Sequence, residues 1–441
     1  MRILNRVLFA IIGVGLIFWF GVQHQASPSL SFSADRLDRL TQYFQTAVDQ
    51  QKLAGARAVI IQNGDVVYEH NWGMRNIEQQ TPVQDDTIFQ IYSMTKPIVS
   101  VAVLMLYEEG HFRLHDPIAK YIPELSNLRV YDEKGAGTPP TRAAARQPTI
   151  HDLLTHRAGF LYGFLDASPL GAIYRKERMD MPPDMTLQEY VAALGKIPLK
   201  FDPGSQWNYS VSTDVLGYLV EVVSGERLSA FLDKRIFMPL GMVDTSFKHM
   251  PEKEGRRAML YSREGVAEQY PTYGFAARPT GAGLEVAHPL LFDMYAADAK
   301  YESGGGGLVS TTHDYLQFAQ MLLNDGARNG VRLLAPNTVA MMRHDQIGNT
   351  PNARRIPPTM PGEGVGFGLG VGTITDQGLS GGSLPQGSYY WGGAAGTFFW
   401  VDPQNDLTAV FMTQILPDHF GLRQEFWTLT YQAISDARLN D

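Results

Sequence analysis

The sequence predicts an α+β fold, an antiparallel sheet flanked by terminal helices, with a helical region inserted between the two halves of the sheet. Three observations in the 441 residues predict it. A helix-then-hairpin pattern opens the folded part, a middle rich in helices and loops comes next, and strand-like runs with a last helix close the chain.

Residues 1–26 stand outside that fold. Arg2 and Arg6 precede a nearly unbroken apolar run from Val7 to Val22, closed by Gln23, His24 and Gln25, which is a charged segment followed by a hydrophobic one. The pattern predicts transfer across a membrane, with the body periplasmic or extracellular because the basic residues lie before the apolar run. Ala26 has His24 two positions before it, so no small-x-small cleavage site is present. Cleaved signal peptide and uncleaved anchor, with membrane association through residues 7–22, both stay open.

The folded part is placed at 34–441. From Ala34 to Gln51 the apolar residues Leu37, Leu40, Phe44 and Val48 recur at helical spacing, and Ala58 to His70 reads as two strands around the hairpin pair Asn63-Gly64. Ser93 to Glu109 is expected as a helix, with Pro97 tolerated in its first turn and Gly110 ending it. Gly135 to Pro148 reads as an exposed loop, and Thr149 with Asp152 as a capping box for a short helix. Strands are expected at Tyr389–Trp391, Thr397–Val401 and Leu407–Ile415, and a closing helix from about Gln424 to Ala437. The sheet region is therefore assigned to about 34–92 and 360–441, and the helical region to about 93–340.

Composition excludes several functions. The formal charge is -8 and the chain has no block of like charges, so nucleic-acid binding is a poor fit. With no cysteine there is no disulfide, thiolate metal site, Cys nucleophile or lipoprotein anchor. His151 and His156 lie five apart, which does not put them on one helix face as metal ligands, and they read as structural. Gly304 to Gly307 lacks the Lys-Ser/Thr of a phosphate loop. Neither a metal nor an organic cofactor is implied.

The chemistry lies in Ser93-Met94-Thr95-Lys96. Residues three apart share a helix face, so the Lys96 amine stands beside the Ser93 hydroxyl, and the helix N-terminus offers a positive dipole and a free N–H to a developing oxyanion. A pattern with two fixed positions arises about once by chance in a chain this long. Its context strengthens it: Phe89 and Tyr92 precede the serine, Pro97 follows the lysine, and the apolar helix runs on through Val99, Val103 and Leu106.

Phe201-Asp202-Pro203-Gly204-Ser205-Gln206-Trp207-Asn208-Tyr209-Ser210 resembles the P-G-x-x-W-x-Y-S segment of class C β-lactamases, D-Ala-D-Ala peptidases and family VIII carboxylesterases. The resemblance implies a β-lactamase/DD-peptidase-like fold and makes Tyr209 the second catalytic element. A phenol hydrogen-bonded to the Lys96 ammonium would have a stabilised phenolate and could act as base, then acid. Trp391-Gly392-Gly393-Ala394 stands where that family carries Lys-Thr-Gly or His-x-Gly, and this variant is similar to the esterase branch and the lovastatin-type acyltransferases. By the same resemblance the Ala394 N–H is the second oxyanion donor, beside that of Ser93. Thr149–Gly159 and Ser303–Thr312 resemble two further family segments to which no chemistry attaches, and the likeness spans about Leu37 to Leu429.

The expected function is that of a serine hydrolase working through an acyl-enzyme, a carboxylesterase or acyltransferase on uncharged small-molecule esters. Two departures set the substrate class: Val211 stands where the β-lactamase pattern has an amide-binding Asn, and Trp391 where it has a cationic Lys or a His. A D-Ala-D-Ala carboxypeptidase or β-lactamase is the alternative, and a non-catalytic cell-envelope binding protein a second one.

Overall fold

The central strands are buried residue after residue, because the sheet is covered on both faces. The computed structural model describes residues 31–435 apart from 181, 183, 264–277, 280–282, 288–294, 297, 349, 351–361 and 417–420. The N-terminal segment 1–26, with its expected export signal, lies outside the described residues. Among these no helix is long and apolar enough to cross a membrane.

The main sheet has eight antiparallel strands: β1 (Gly55–Gln62), β2 (Asp65–Asn76), β3 (Thr81–Pro82), β4 (Val365–Phe367), β5 (Gly372–Ile374), β6 (Tyr389–Gly392), β7 (Phe398–Asp402) and β8 (Leu407–Thr413). Their spatial order is β4-β5-β6-β7-β8-β1-β2-β3, so β8 from one end of the chain pairs with β1 from the other. Asn63 and Gly64, with φ of 49° and 84°, make the turn between β1 and β2, since both central positions of such a turn need the left-handed region.

Alternate residues feed two cores. Ala58 and Ile60 of β1, Phe398 and Trp400 of β7, and Ala409 and Phe411 of β8 face helices α1 (Ala34–Asp49) and, at the chain end, Leu422–Ala433. Here Phe44, Phe398, Phe411 and Phe426 pack with centroids 4.8 to 5.9 Å apart, all of them at 0 % exposure. Burying each such ring contributes about 1.5–3 kcal/mol, which makes this cluster the clamp between the chain ends. Val59, Phe399, Val401, Val410 and Met412 point the other way, into the core shared with the helical region.

The helical region contains α2 (Thr95–Glu108), α3 (Ile150–Leu154), α4 (Ser212–Ser224) and α5 (Thr312–Leu323), and Leu422–Ala433 is α6. The capping box at the start of α3 is present, Thr149 accepting from the Asp152 N–H and Asp152 from the Thr149 N–H. Gly135 to Pro148 departs from its expected loop: Arg129–Ala136 and Thr141–Ala143 form a two-stranded hairpin. Leu199 and Arg129–Tyr131 exchange backbone hydrogen bonds that hold it, and this partner is remote in sequence.

Candidate active site

Ser93 sits in a 3-10 turn, Tyr92–Met94, that runs straight into α2. The residue before it, Tyr92, has φ +42°, a strained conformation for an aromatic residue. The turn is held by its surroundings: Ile91 N–H donates to Leu308 O (3.0 Å), and Phe89–Gln90 pairs with Val309–Ser310.

Helix α2 is buried from Thr95 to Leu106, and Lys96 within it is 0 % exposed. An ammonium or amine there is tolerable only with partners on every side. It has three: Ser93 Oγ at 3.3 Å, Tyr162 Oη at 2.9 Å and Gly305 O at 2.5 Å. As an ammonium Lys96 donates to all three. As a neutral amine it keeps two N–H bonds, to Tyr162 and Gly305, and its lone pair faces the Ser93 hydroxyl. The arrangement can therefore take a proton from Ser93 without moving.

Tyr209 is brought to the same place, though not in the expected way. Lys96 Nζ lies 4.7 Å from the centroid of its ring, a cation–π contact, and the Tyr209 hydroxyl is buried with no protein partner among the described residues. The phenol that hydrogen-bonds Lys96 is Tyr162, which no sequence motif singles out. Burial and the nearby Asp214 carboxylate push the Tyr162 phenol well above the ordinary tyrosine range, so it stays a neutral partner.

Gly305 is the other unforeseen contributor. Asp214 on α4 accepts from Ser303 Oγ (2.6 Å), Tyr301 Oη (2.8 Å) and Gly305 N–H (3.2 Å), which fixes the glycine run. A Cβ on Gly305 would lie 2.5 Å from Asp214 Oδ2 and 2.8 Å from Tyr162 Oη. Glycine at 305 thus lets its carbonyl reach Lys96, which is the chemical contribution of the Ser303–Thr312 segment.

The third segment follows β6, which contacts the Ser93 turn. A Cβ on Gly393 would sit 2.4 Å from Ile91 O and 2.2 Å from Thr397 Oγ1, so only glycine lets this backbone lie against the chain entering Ser93. Gly392 is restricted from the opposite side, where the Arg423 guanidinium occupies the place a Cβ would take. Ala394 is the second residue of a turn closed by Gly396 N–H to Gly393 O (3.3 Å); its side chain is exposed, and no protein acceptor takes its N–H among the described residues. The Ser93 N–H is equally free among them.

Two expected pocket residues are placed differently. Val211 is 1 % exposed and belongs to the core just before α4, so it does not form an open wall. Trp391 is 3 % exposed and packs its ring on Tyr209 (5.6 Å) and Phe367 (5.1 Å); its indole N–H is buried without a protein partner among the described residues. It walls the Tyr209 phenol more than it offers a free apolar face. His151 and His156 are not a pair: His151 faces Gln346 and His115, whereas His156 packs on Tyr209.

The chain resembles known proteins over most of its length. The chain is 33 % identical over 373 residues to Protein Rv1367c of Mycobacterium tuberculosis, covering 84 % of this chain and 88 % of that one. It is 30 % identical over 390 residues to Esterase EstB of Burkholderia gladioli, covering 85 % and 89 %. Among solved structures, EstCE1, described as a hydrolase with promiscuous acyltransferase activity, superposes with a TM-score of 0.73 at 26 % identity, over 90 % of this chain and 98 % of that one. The Beta-lactamase family profile matches residues 40–430, and the chain therefore belongs to the beta-lactamase family.

Proposed function

We propose that this protein is a carboxylesterase or acyltransferase that forms an acyl-enzyme on Ser93. The observation that carries the reading is the buried Lys96, whose amine has two fixed partners and stands 3.3 Å from Ser93 Oγ. Neutral Lys96 takes the Ser93 proton as Oγ attacks the ester carbonyl, and the N–H groups of Ser93 and Ala394 receive the oxyanion. The Tyr209 hydroxyl, which no described protein group engages, passes a proton to the departing alkoxide and later takes one from the incoming water or alcohol. Relatives named as esterases support the ester substrate.

The β-lactamase and peptidase reading is disfavoured at β6, where residue 391 is a tryptophan and supplies no charge for a substrate carboxylate. Losing one charge-assisted hydrogen bond costs about 1.5–3 kcal/mol, a factor of roughly 10 to 100 in kcat/KM. The purified protein is expected to hydrolyse p-nitrophenyl acetate and butyrate readily, with poor turnover of cephalosporins and negligible cleavage of D-Ala-D-Ala peptides. A higher kcat/KM for any β-lactam than for both esters would overturn the substrate class and leave the Ser-Lys-Tyr chemistry standing.

We also propose that the protein works outside the cytoplasm, a reading supported by Arg2, Arg6 and the apolar run Val7–Val22 alone. In a Gram-negative host, esterase activity released with the periplasm or held by washed membranes, outer face exposed, is the expected result. Activity confined to the cytosol sinks the proposal.

A further inference from the structure

The Tyr209 hydroxyl makes no hydrogen bond to the described protein, so nothing at the tip of the side chain fixes the phenol. Its aim must come from the chain on either side and from the rings around it. One buried residue supplies both. His156, 1 % exposed, accepts the Asn208 N–H on its own carbonyl (3.0 Å), and its Nδ1 lies 3.2 Å from Ser210 Oγ. Its ring stands edge-on to Tyr209 with centroids 4.8 Å apart, backed by Trp207 and Phe367. The backbone of His156 is left-handed, φ +54°, which turns the carbonyl and the ring towards the same three residues.

We propose that His156 is a positioning residue for Tyr209: it holds the chain at Asn208 and Ser210 and abuts the ring between them, so that the unpartnered hydroxyl keeps its aim. Burial, then the charge of Lys96, holds the imidazole well below the ordinary histidine range, so the ring is a neutral polar brace. The Ser210 end is itself tied down, Ser210 Oγ accepting from the Ser212 N–H (3.3 Å) and sharing a hydrogen with Ser212 Oγ (2.8 Å), which carries the brace into the start of α4. A displacement of about 1 Å at a reacting group costs on the order of 10²-fold in rate, so a brace of this kind acts on kcat.

The inference rests on Tyr209 as proton carrier, and the experiment separates the two. Steady-state hydrolysis of p-nitrophenyl butyrate is measured for His156→Phe, His156→Asn and Ser210→Ala, each with Tyr209 intact and in a Tyr209→Phe background. With Tyr209 intact, His156→Phe and Ser210→Ala lower kcat about 10- to 100-fold while KM stays within about twofold. His156→Asn tolerates the left-handed backbone and keeps a polar atom near the Nδ1 position, and it recovers most of the loss. In the Tyr209→Phe background the same changes cost less than about twofold more, since there is no hydroxyl left to aim. An undiminished kcat in His156→Phe, or an equal loss in both backgrounds, overturns the positioning role and leaves Tyr209 in place. Near-normal kcat in Tyr209→Phe alone overturns the Tyr209 reading and this inference with it. If His156→Phe does not fold, Ser210→Ala in the two backgrounds decides by the same criterion.

Discussion

Ser93→Ala, Lys96→Ala and Tyr209→Phe each lower kcat for p-nitrophenyl butyrate by about 10³-fold or more, and any two together cost little beyond one, because the three groups act as a unit. Without Oγ there is no acyl-enzyme; without the amine 3.3 Å away Oγ has no base; without the Tyr209 hydroxyl the leaving alkoxide has no acid. The variants differ in what they do to the fold. Ser93→Ala and Tyr209→Phe remove hydroxyls that make few protein contacts. Lys96→Ala leaves Gly305 O and Tyr162 Oη buried without the amine, at about 1–3 kcal/mol for each unsatisfied group, so its melting temperature falls. Circular dichroism separates that loss from the catalytic one. Near-normal turnover by a folded Lys96→Ala at neutral pH would show that another group is the base.

The parts of this molecule written in local pattern were legible. The Asn63-Gly64 turn and the helix from Ala34 carry their own local signals, and the strands Tyr389–Gly392, Phe398–Asp402 and Leu407–Thr413 are short aromatic- and β-branched-rich runs that pair with β1 in one sheet and are buried on both faces. The Ser93–Lys96 pair is local too, three residues on a turn entering a helix. What sequence did not show is long-range. Tyr162 stands 66 residues from Lys96 and Gly305 209 residues from it, and Phe160-Leu161-Tyr162 has nothing to distinguish it from any core run. The glycines 304–307 carry no chemistry in the sequence, because the partners that give Gly305 its role, Asp214 and Tyr162, are remote from it along the chain. The segment around Tyr209 marks the residue, but spacing brings an amine near a phenol without saying whether it meets the hydroxyl or the ring, and here it meets the ring. The hairpin at Arg129–Ala143 was hidden for a similar reason, its strand being completed by Leu199.

Ala394→Pro is expected to lower kcat by about 10²- to 10³-fold, the cost of removing one oxyanion donor. The substitution suits the backbone unusually well. Ala394 is the second residue of the turn Gly393–Gly396, the position where proline is favoured, its φ is not left-handed, and its side chain is exposed. The residue before it is glycine, which accommodates the extended conformation that a following proline imposes. No hydrogen bond within the described protein is lost, since the Ala394 N–H has no acceptor there. The one group deleted is therefore the donor that the mechanism assigns to the oxyanion. KM stays near the parent value, because a ground-state ester carbonyl bears little of the charge that the donor serves. Ala394→Ser keeps the N–H and controls for a changed side chain, retaining kcat within about threefold. A folded Ala394→Pro enzyme with undiminished kcat would remove Ala394 from the oxyanion site and leave the Ser93 N–H to be paired with a donor elsewhere.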